Sequence, residues 1–196
     1  MTAVDERGMA DFFADFEPPE GAKAELLRGD IVMMAGPDLV HNRIVTEVQD
    51  QIPRTRWERL QTQDVTVTGE ASEPVPDLVV LEAGRGPESG RLLPSRLITL
   101  VVEVVSRTSV DRDYGVKRLI YAAGGVPAYL IIDPVMAHCV LYTEPVGRGE
   151  DADYQVQRMT KFGDPLPVGP LGIELDTGSF GAYQGVRPHS WPSRNR

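Results

Sequence analysis

From residue 97 to 106 the chain reads LITLVVEVVS, an aliphatic run broken by a single acid, Glu103. So many valines disfavour a helix, and apolar residues on both alternations predict a central strand covered on both faces. KAELLRGDIVMMAG (23–36) predicts two short strands turning at Arg28-Gly29, with Glu25 on the first. Val40, Ile44 and Val48 recur at fourfold spacing between Asp38, a capping residue, and Pro53, a stop, so an amphipathic helix is expected there. TQDVTVTGE (62–70) and PVPDLVVLE (74–82) predict strands, the second entered through prolines that disfavour a preceding helix, and AGRGPESGRLLPS (83–95) predicts a loop. A second helix is expected over 109–125, with Val116, Leu119, Ile120 and Ala123 in register and paired glycines at its end. VPAYLIIDP, stopped at Asp133-Pro134, pairs with AHCVLYTE as a hairpin, and ADYQVQRMT and LGIELD supply later strands. The fold class is α/β: a mixed central sheet flanked by helices, with additional hairpins.

Composition changes this picture little. A chain of 196 residues with 41% hydrophobic and 25% charged residues matches one ordinary globular domain. We expect a lead-in over 1–20, one domain over 21–182, and a polar, proline-rich tail over 183–196 that frays. No apolar run approaches the roughly 20 residues of a membrane span, and the acidic start lacks a signal-peptide pattern; a cytoplasmic protein with no membrane partner is expected. Cys139 is the only cysteine, which excludes an intrachain disulfide or a thiolate metal cluster, and its apolar strand predicts a buried, inert thiol. The net charge of −9 counts against a protein whose work is to grip nucleic-acid backbone nonspecifically.

The chemistry centres on Glu103. Alternation puts Val101, Glu103 and Val105 on one face and Val102 and Val104 on the other. Asp77 stands at the start of the preceding strand, so if the two strands pair, both carboxylates reach one point, and Glu25 is a third candidate for it. Crowding buried carboxylates is costly unless a cation joins them. Oxygen donors suit Mg²⁺ or Mn²⁺, whereas His41, His138 and His189 are too scattered for a histidine-built zinc site. Such an ion would polarise a phosphoryl oxygen and activate a water. A lysine two residues beyond the glutamate would help, but Val105 occupies that position; Lys117 on the following helix is the substitute, its stem running over apolar surface. Tyr121, four residues on, could orient the lysine or a phosphate, and Asp113 stands four residues before Lys117, the spacing of an exposed helix pair. Tyr114 reads as a rim aromatic, Asp133 as a turn residue, Ser106 as a cap after its strand, and His41 as a helix-face contact to substrate.

These segments, VPDLVV and LVVEVVSRTSVDRDYGVKRLIYAAGGVPAYLIIDP together with AELLRGDIVMM and AGPDLVHNRIV, resemble the Uma2 (DUF820) family of restriction-endonuclease-like proteins over roughly residues 20–180. The resemblance implies a PD-(D/E)xK nuclease core. It places the motif acids on Asp77 and Glu103, the upstream acid on Glu25 and the migrated lysine on Lys117, with Asp113 and Tyr121 in the family's helix. Where the family commonly has Ser-Pro after the strand glutamate, this chain has Ser106-Arg107, which puts Arg107 in reach of a phosphate; Leu130 replaces an aromatic as a packing change. The implied activity is a Mg²⁺- or Mn²⁺-dependent endonuclease acting on DNA. A noncatalytic binding or assembly module and a phosphohydrolase for small phosphate esters are the alternatives. An exposed edge on the 127–143 hairpin predicts a homodimer.

Overall fold

The computed structural model describes residues 6–190, so the first five residues of the expected lead-in and the last six of the tail lie outside the described residues. Helix α1 (Glu6–Ala14) precedes the hairpin of β1 (Ala22–Leu27) and β2 (Asp30–Ala35), and α2 (Leu39–Gln51) follows. Next come β3 (Trp57–Gln61), β4 (Val65–Thr66), β5 (Leu78–Glu82), β6 (Leu93–Pro94) and β7 (Ile98–Val104). A π-helical turn, Arg112–Lys117, runs directly into α3 (Arg118–Ala123). The chain continues through β8 (Ala128–Asp133), β9 (His138–Val146), β10 (Asp153–Lys161), β11 (Leu166–Val168) and β12 (Ile173–Leu175).

Six strands form the main sheet in the order β10-β9-β8-β7-β5-β3. Only β7 and β8 run parallel, and the π turn with α3 makes the crossover that parallel neighbours require. Both faces of β7 are apolar because both are covered. Val101, Val105 and Tyr129 pack with Tyr114, Ile120 and Tyr121 from the crossover. Leu100, Val102, Val104 and Leu130 pack with Ile44, Val45 and Val48 of α2 and with Leu166 and Leu175 of the β11–β12 hairpin. Glu103 thus belongs to the crossover side, as the alternation predicts. Helix α2 is capped at Asp38, whose Oδ1 accepts the His41 amide at 3.0 Å. At its other end Arg59 of β3 donates to the Gln49 and Ile52 carbonyls at 2.7 and 2.8 Å, satisfying groups the helix leaves open.

Several expectations are corrected. Of TQDVTVTGE only Val65–Thr66 is a strand, paired in parallel with β6 inside the expected loop, while the sheet strand lies earlier, at β3. The 109–125 helix is π-helical through its first part; of the expected stripe Ile120 is fully buried and Val116 and Ala123 partly, but Asp113, Tyr114, Lys117, Tyr121 and Ala122 are buried as well. Tyr114 is a core residue, not a rim aromatic. The β8–β9 hairpin has no free edge, since β7 covers one side and β10 the other, so the premise of the dimer expectation fails; the outer strands are β10 and β3. The described part of the tail is docked: the Tyr183 amide donates to the Pro134 carbonyl, and His189 Nε2 lies 2.6 Å from Asp133 Oδ2. Asp133 also serves its expected turn, its Oδ1 accepting the Val135 and Met136 amides at 2.9 and 3.0 Å. Cys139 is buried, as expected. Among the described residues no helix is long and apolar enough to cross a membrane.

Candidate active site

Strands β5 and β7 pair antiparallel with Leu78 opposite Val102, which carries Asp77, just before β5, toward Glu103. The contact is direct along the backbone: Asp77 Oδ2 accepts the Val104 amide at 2.8 Å. His41 of α2 holds the same oxygen through Nε2 at 2.9 Å. His41, expected to contact substrate, lines the cleft and at the same time contacts Asp77. A cleft of about 440 Å³ opens over these residues, bounded by Asp77, Glu103, Asp113 and Lys117 on its floor and by Lys23, Arg107, Arg112 and Tyr183 elsewhere.

Behind Glu103 stands a buried ionic cluster. Lys117 Nζ lies 2.8 Å from both Glu25 Oε1 and Glu103 Oε1 and 3.9 Å from Asp113 Oδ1, and the Lys117 side chain is 3% exposed. Rather than running along an apolar edge, the lysine is enclosed. Tyr121 donates to Glu103 Oε1 at 2.8 Å and is fully buried, so its hydroxyl meets the acid and not the cleft. Glu25 Oε1 also accepts the Val75 amide at 2.8 Å, while its Oε2 is sealed without a partner. Ser109 serves two neighbours: its Oγ accepts the Ser106 amide and donates to Asp113 Oδ2. Ser106, expected to cap, contributes its amide to Ser109 instead, and no side chain among the described residues caps the π turn.

The widened turn explains how one short helix turns Asp113, Lys117 and Tyr121 inward. A π turn holds more residues than an α turn, and such insertions gather at functional sites. Tyr129 of β8 donates to the Asp113 carbonyl at 2.9 Å, giving a fixed partner to a backbone group in that turn.

Electrostatics follow from crowding. Burial drives the Glu103 carboxyl well above the ordinary carboxylate range; Lys117 pulls it down, but Asp77, Asp113 and Glu25 push it up again. Burial likewise pushes Asp113 to about 7, against the pull of Lys117 and Ser109. Burial alone would discharge Lys117, yet Glu103, Glu25 and Asp113 hold its ammonium well above the usual lysine value. The lysine is charged, and the acids outnumber it.

Whether these donors suit a divalent ion can be judged from their free oxygens. Among the described residues no group of three or more His, Cys, Asp and Glu side chains is placed to hold a metal by itself. Two carboxylates are better disposed. Asp77 Oδ1 and Glu103 Oε2 accept no hydrogen bond from a described residue, and neither is sealed from solvent. Mg²⁺ commonly takes one or two carboxylates and completes its shell with water and substrate phosphate, so the pair fits that mode and not an all-protein cage. Glu25, expected as a third ligand, does not line the cleft: its Oε1 pairs with Lys117 and its Oε2 is buried.

Sequence reasoning missed Ser109, Lys23, Arg112 and Tyr183. The sequence gives no local signal for the last three, because only the fold brings β1, the π turn and the tail to one rim.

A mixed sheet crossed by a helix, with paired acids on neighbouring strands, is the architecture of restriction-endonuclease-like proteins. The model of the Uma2 family, described as "Putative restriction endonuclease", matches residues 10–178, and the chain belongs to that family. A crystal structure of "a putative nuclease belonging to DUF820" from Anabaena variabilis ATCC 29413 is similar in fold, with a TM-score of 0.68 and 16% identity over 87% of this chain and 96% of that one. No curated protein matches the chain.

Proposed function

We propose that the cleft is the active centre of a Mg²⁺- or Mn²⁺-dependent endonuclease that hydrolyses phosphodiester bonds in DNA. The observation that carries this reading is the convergence of Asp77 and Glu103 from adjacent strands, each with an accessible, unpartnered oxygen, beside the enclosed Lys117. Asp77 and Glu103 would hold the ion, which when bound supplies Lewis-acid polarisation of the phosphoryl oxygen and a more acidic water. His41 fixes the orientation of Asp77, and Tyr121 that of Glu103; outer partners of this kind usually tune metal affinity by about 10–100-fold. Lys117 places a positive charge next to the reacting phosphate, where developing negative charge needs it. Glu25 and Asp113 position Lys117, and Arg107 meets a phosphate at the rim.

A noncatalytic module is favoured by one feature, the lysine that already gives Glu25 and Glu103 a cation from within. Cleavage of plasmid and oligonucleotide DNA with Mn²⁺ decides between them. We expect cleavage by the native protein and none by Glu103→Gln or Asp77→Asn, with weaker Mn²⁺ binding in calorimetry; equal cleavage by native and Glu103→Gln proteins would overturn the assignment.

A further inference from the structure

We infer that the cleft receives an unpaired nucleotide, so that the DNA it acts on is single-stranded at the point of cutting; this rests on the phosphodiesterase reading above. Four features of the rim and floor support it. The floor groups lie deep, with the side chains of Glu103 and Lys117 5% and 3% exposed, so the phosphate must descend between walls. The space of about 440 Å³ is of the size that small ligands occupy. An unpaired strand can bend so that its phosphate descends between these walls, whereas a strand wound in a duplex is held on a stiff, convex surface.

The rim also offers a flat surface. Tyr183 lines the cleft and is fixed at both ends of its residue, its hydroxyl donating to Asp38 Oδ2 at 2.7 Å and its amide to the Pro134 carbonyl at 2.9 Å. The exposed Arg107 guanidinium lies over the Tyr183 ring, 5.7 Å from its centroid, so a base would stack on the outer side of this cation–aromatic pair. Unpaired bases stack on aromatic rings and on guanidinium planes, whereas bases inside a duplex keep their faces covered.

Charge points the same way. Lys23, Arg107 and Arg112 all line the cleft, none has an ion-pair partner among the described residues, and Arg112 Nε is buried without an acceptor. They can hold the phosphates on either side of the one being cut. With a net charge of −9, the protein has no large excess of cations for a duplex, and stacking must supply what backbone attraction does not. Tyr183 lies beyond the residues matched by the family model, whereas Lys23, Arg107 and Arg112 lie within them.

The test is fluorescence anisotropy of the full-length native protein with three labelled oligonucleotides of one length: a single strand, its duplex, and a single strand carrying abasic sites. Cleavage of the first two with Mn²⁺ is followed in parallel. We expect the single strand to bind about tenfold or more tightly than the duplex, and Tyr183→Ala to weaken it by about tenfold, the scale of one lost base stack. The duplex and abasic strand should hardly change, and Tyr183→Phe should behave as native. Equal binding or cutting of duplex and single strand overturns the inference, as does an equal loss on all three ligands with Tyr183→Ala. If the duplex is cut as readily and Glu103→Gln abolishes that, only the single-strand inference fails; if the single strand binds through Tyr183 but is never cut, only the enzymatic reading fails. No binding of any of the three rejects this inference too.

Discussion

Replacing Lys117 with methionine removes the one cation that, among the described residues, pairs with Glu25, Glu103 and Asp113, while keeping a side chain of similar length. The Glu25 and Glu103 side chains are 0% and 5% exposed, so neither can recover its hydration without opening the fold. Removing one partner of a buried ion pair typically costs about 3–5 kcal/mol, because a charge is left buried and uncompensated. Here three acids lose one lysine, and they will take up protons to limit the damage. The folded variant then binds more protons than its unfolded chain, so its stability falls as pH rises. We expect Lys117→Met to lose about 3–5 kcal/mol near pH 8 and clearly less near pH 5, where the acids protonate readily. Urea denaturation followed by far-UV circular dichroism measures this, with Glu103→Gln/Lys117→Met as a control that recovers part of the loss. A loss under about 1 kcal/mol that does not vary with pH would refute the reasoning, since it would make the lysine an ordinary solvated surface charge.

Further tests concern single groups. Burial holds the Asp113 carboxyl up from 3.8 to about 7, so its proton is kept on folding; its contribution makes stability decline as pH climbs through that window, and Asp113→Asn should flatten the slope in pH-dependent denaturation. Burial pushes the Cys139 thiol up to about 12 and leaves it 0% exposed, so a thiol reagent at about pH 8 should label it only after unfolding, as mass spectrometry would record. At the end of α3 two glycines serve different purposes. Gly124 has ordinary backbone angles, but an added Cβ would lie 2.8 Å from Ser95 Oγ, and Gly124→Ala should cost about 1–3 kcal/mol by overpacking. Gly125 has open space but φ of +69°, and Gly125→Ala should cost about 1 kcal/mol by strain in calorimetric melting.

Much of this arrangement is legible in the order of residues, and the failures have physical causes. Glu103 stands out because a strand covered on both faces has no ordinary place for a charge. The pairing of β5 with β7, and hence the meeting of Asp77 and Glu103, follows from two aliphatic runs that need each other. Strand β3 escaped because it lies at the sheet's edge, where WERLQ can stay polar; Arg59 there spends its charge on α2's carbonyls. TQDVTVTGE misled because its valines are buried in extended chain that pairs only briefly. Fourfold spacing links Asp113, Lys117 and Tyr121 but does not say that this side faces inward; the aliphatic positions suggest another stripe, and a π turn shifts the period on which that choice depends. The rim is illegible for another reason: Lys23, Arg107 and Tyr183 are remote in the chain and share a neighbourhood only once the tail has docked.

Lys117, enclosed among acids, gives the molecule a counterion of its own, which bears on how it would respond to chelation. Domains organised around a structural zinc collapse when it is withdrawn, because ligation supplies their folding energy. Here the ammonium does that work before any divalent ion arrives. Treatment with EDTA should therefore leave the melting temperature almost unmoved even as it stops the proposed cleavage, and loading and unloading would proceed on a framework that is already built.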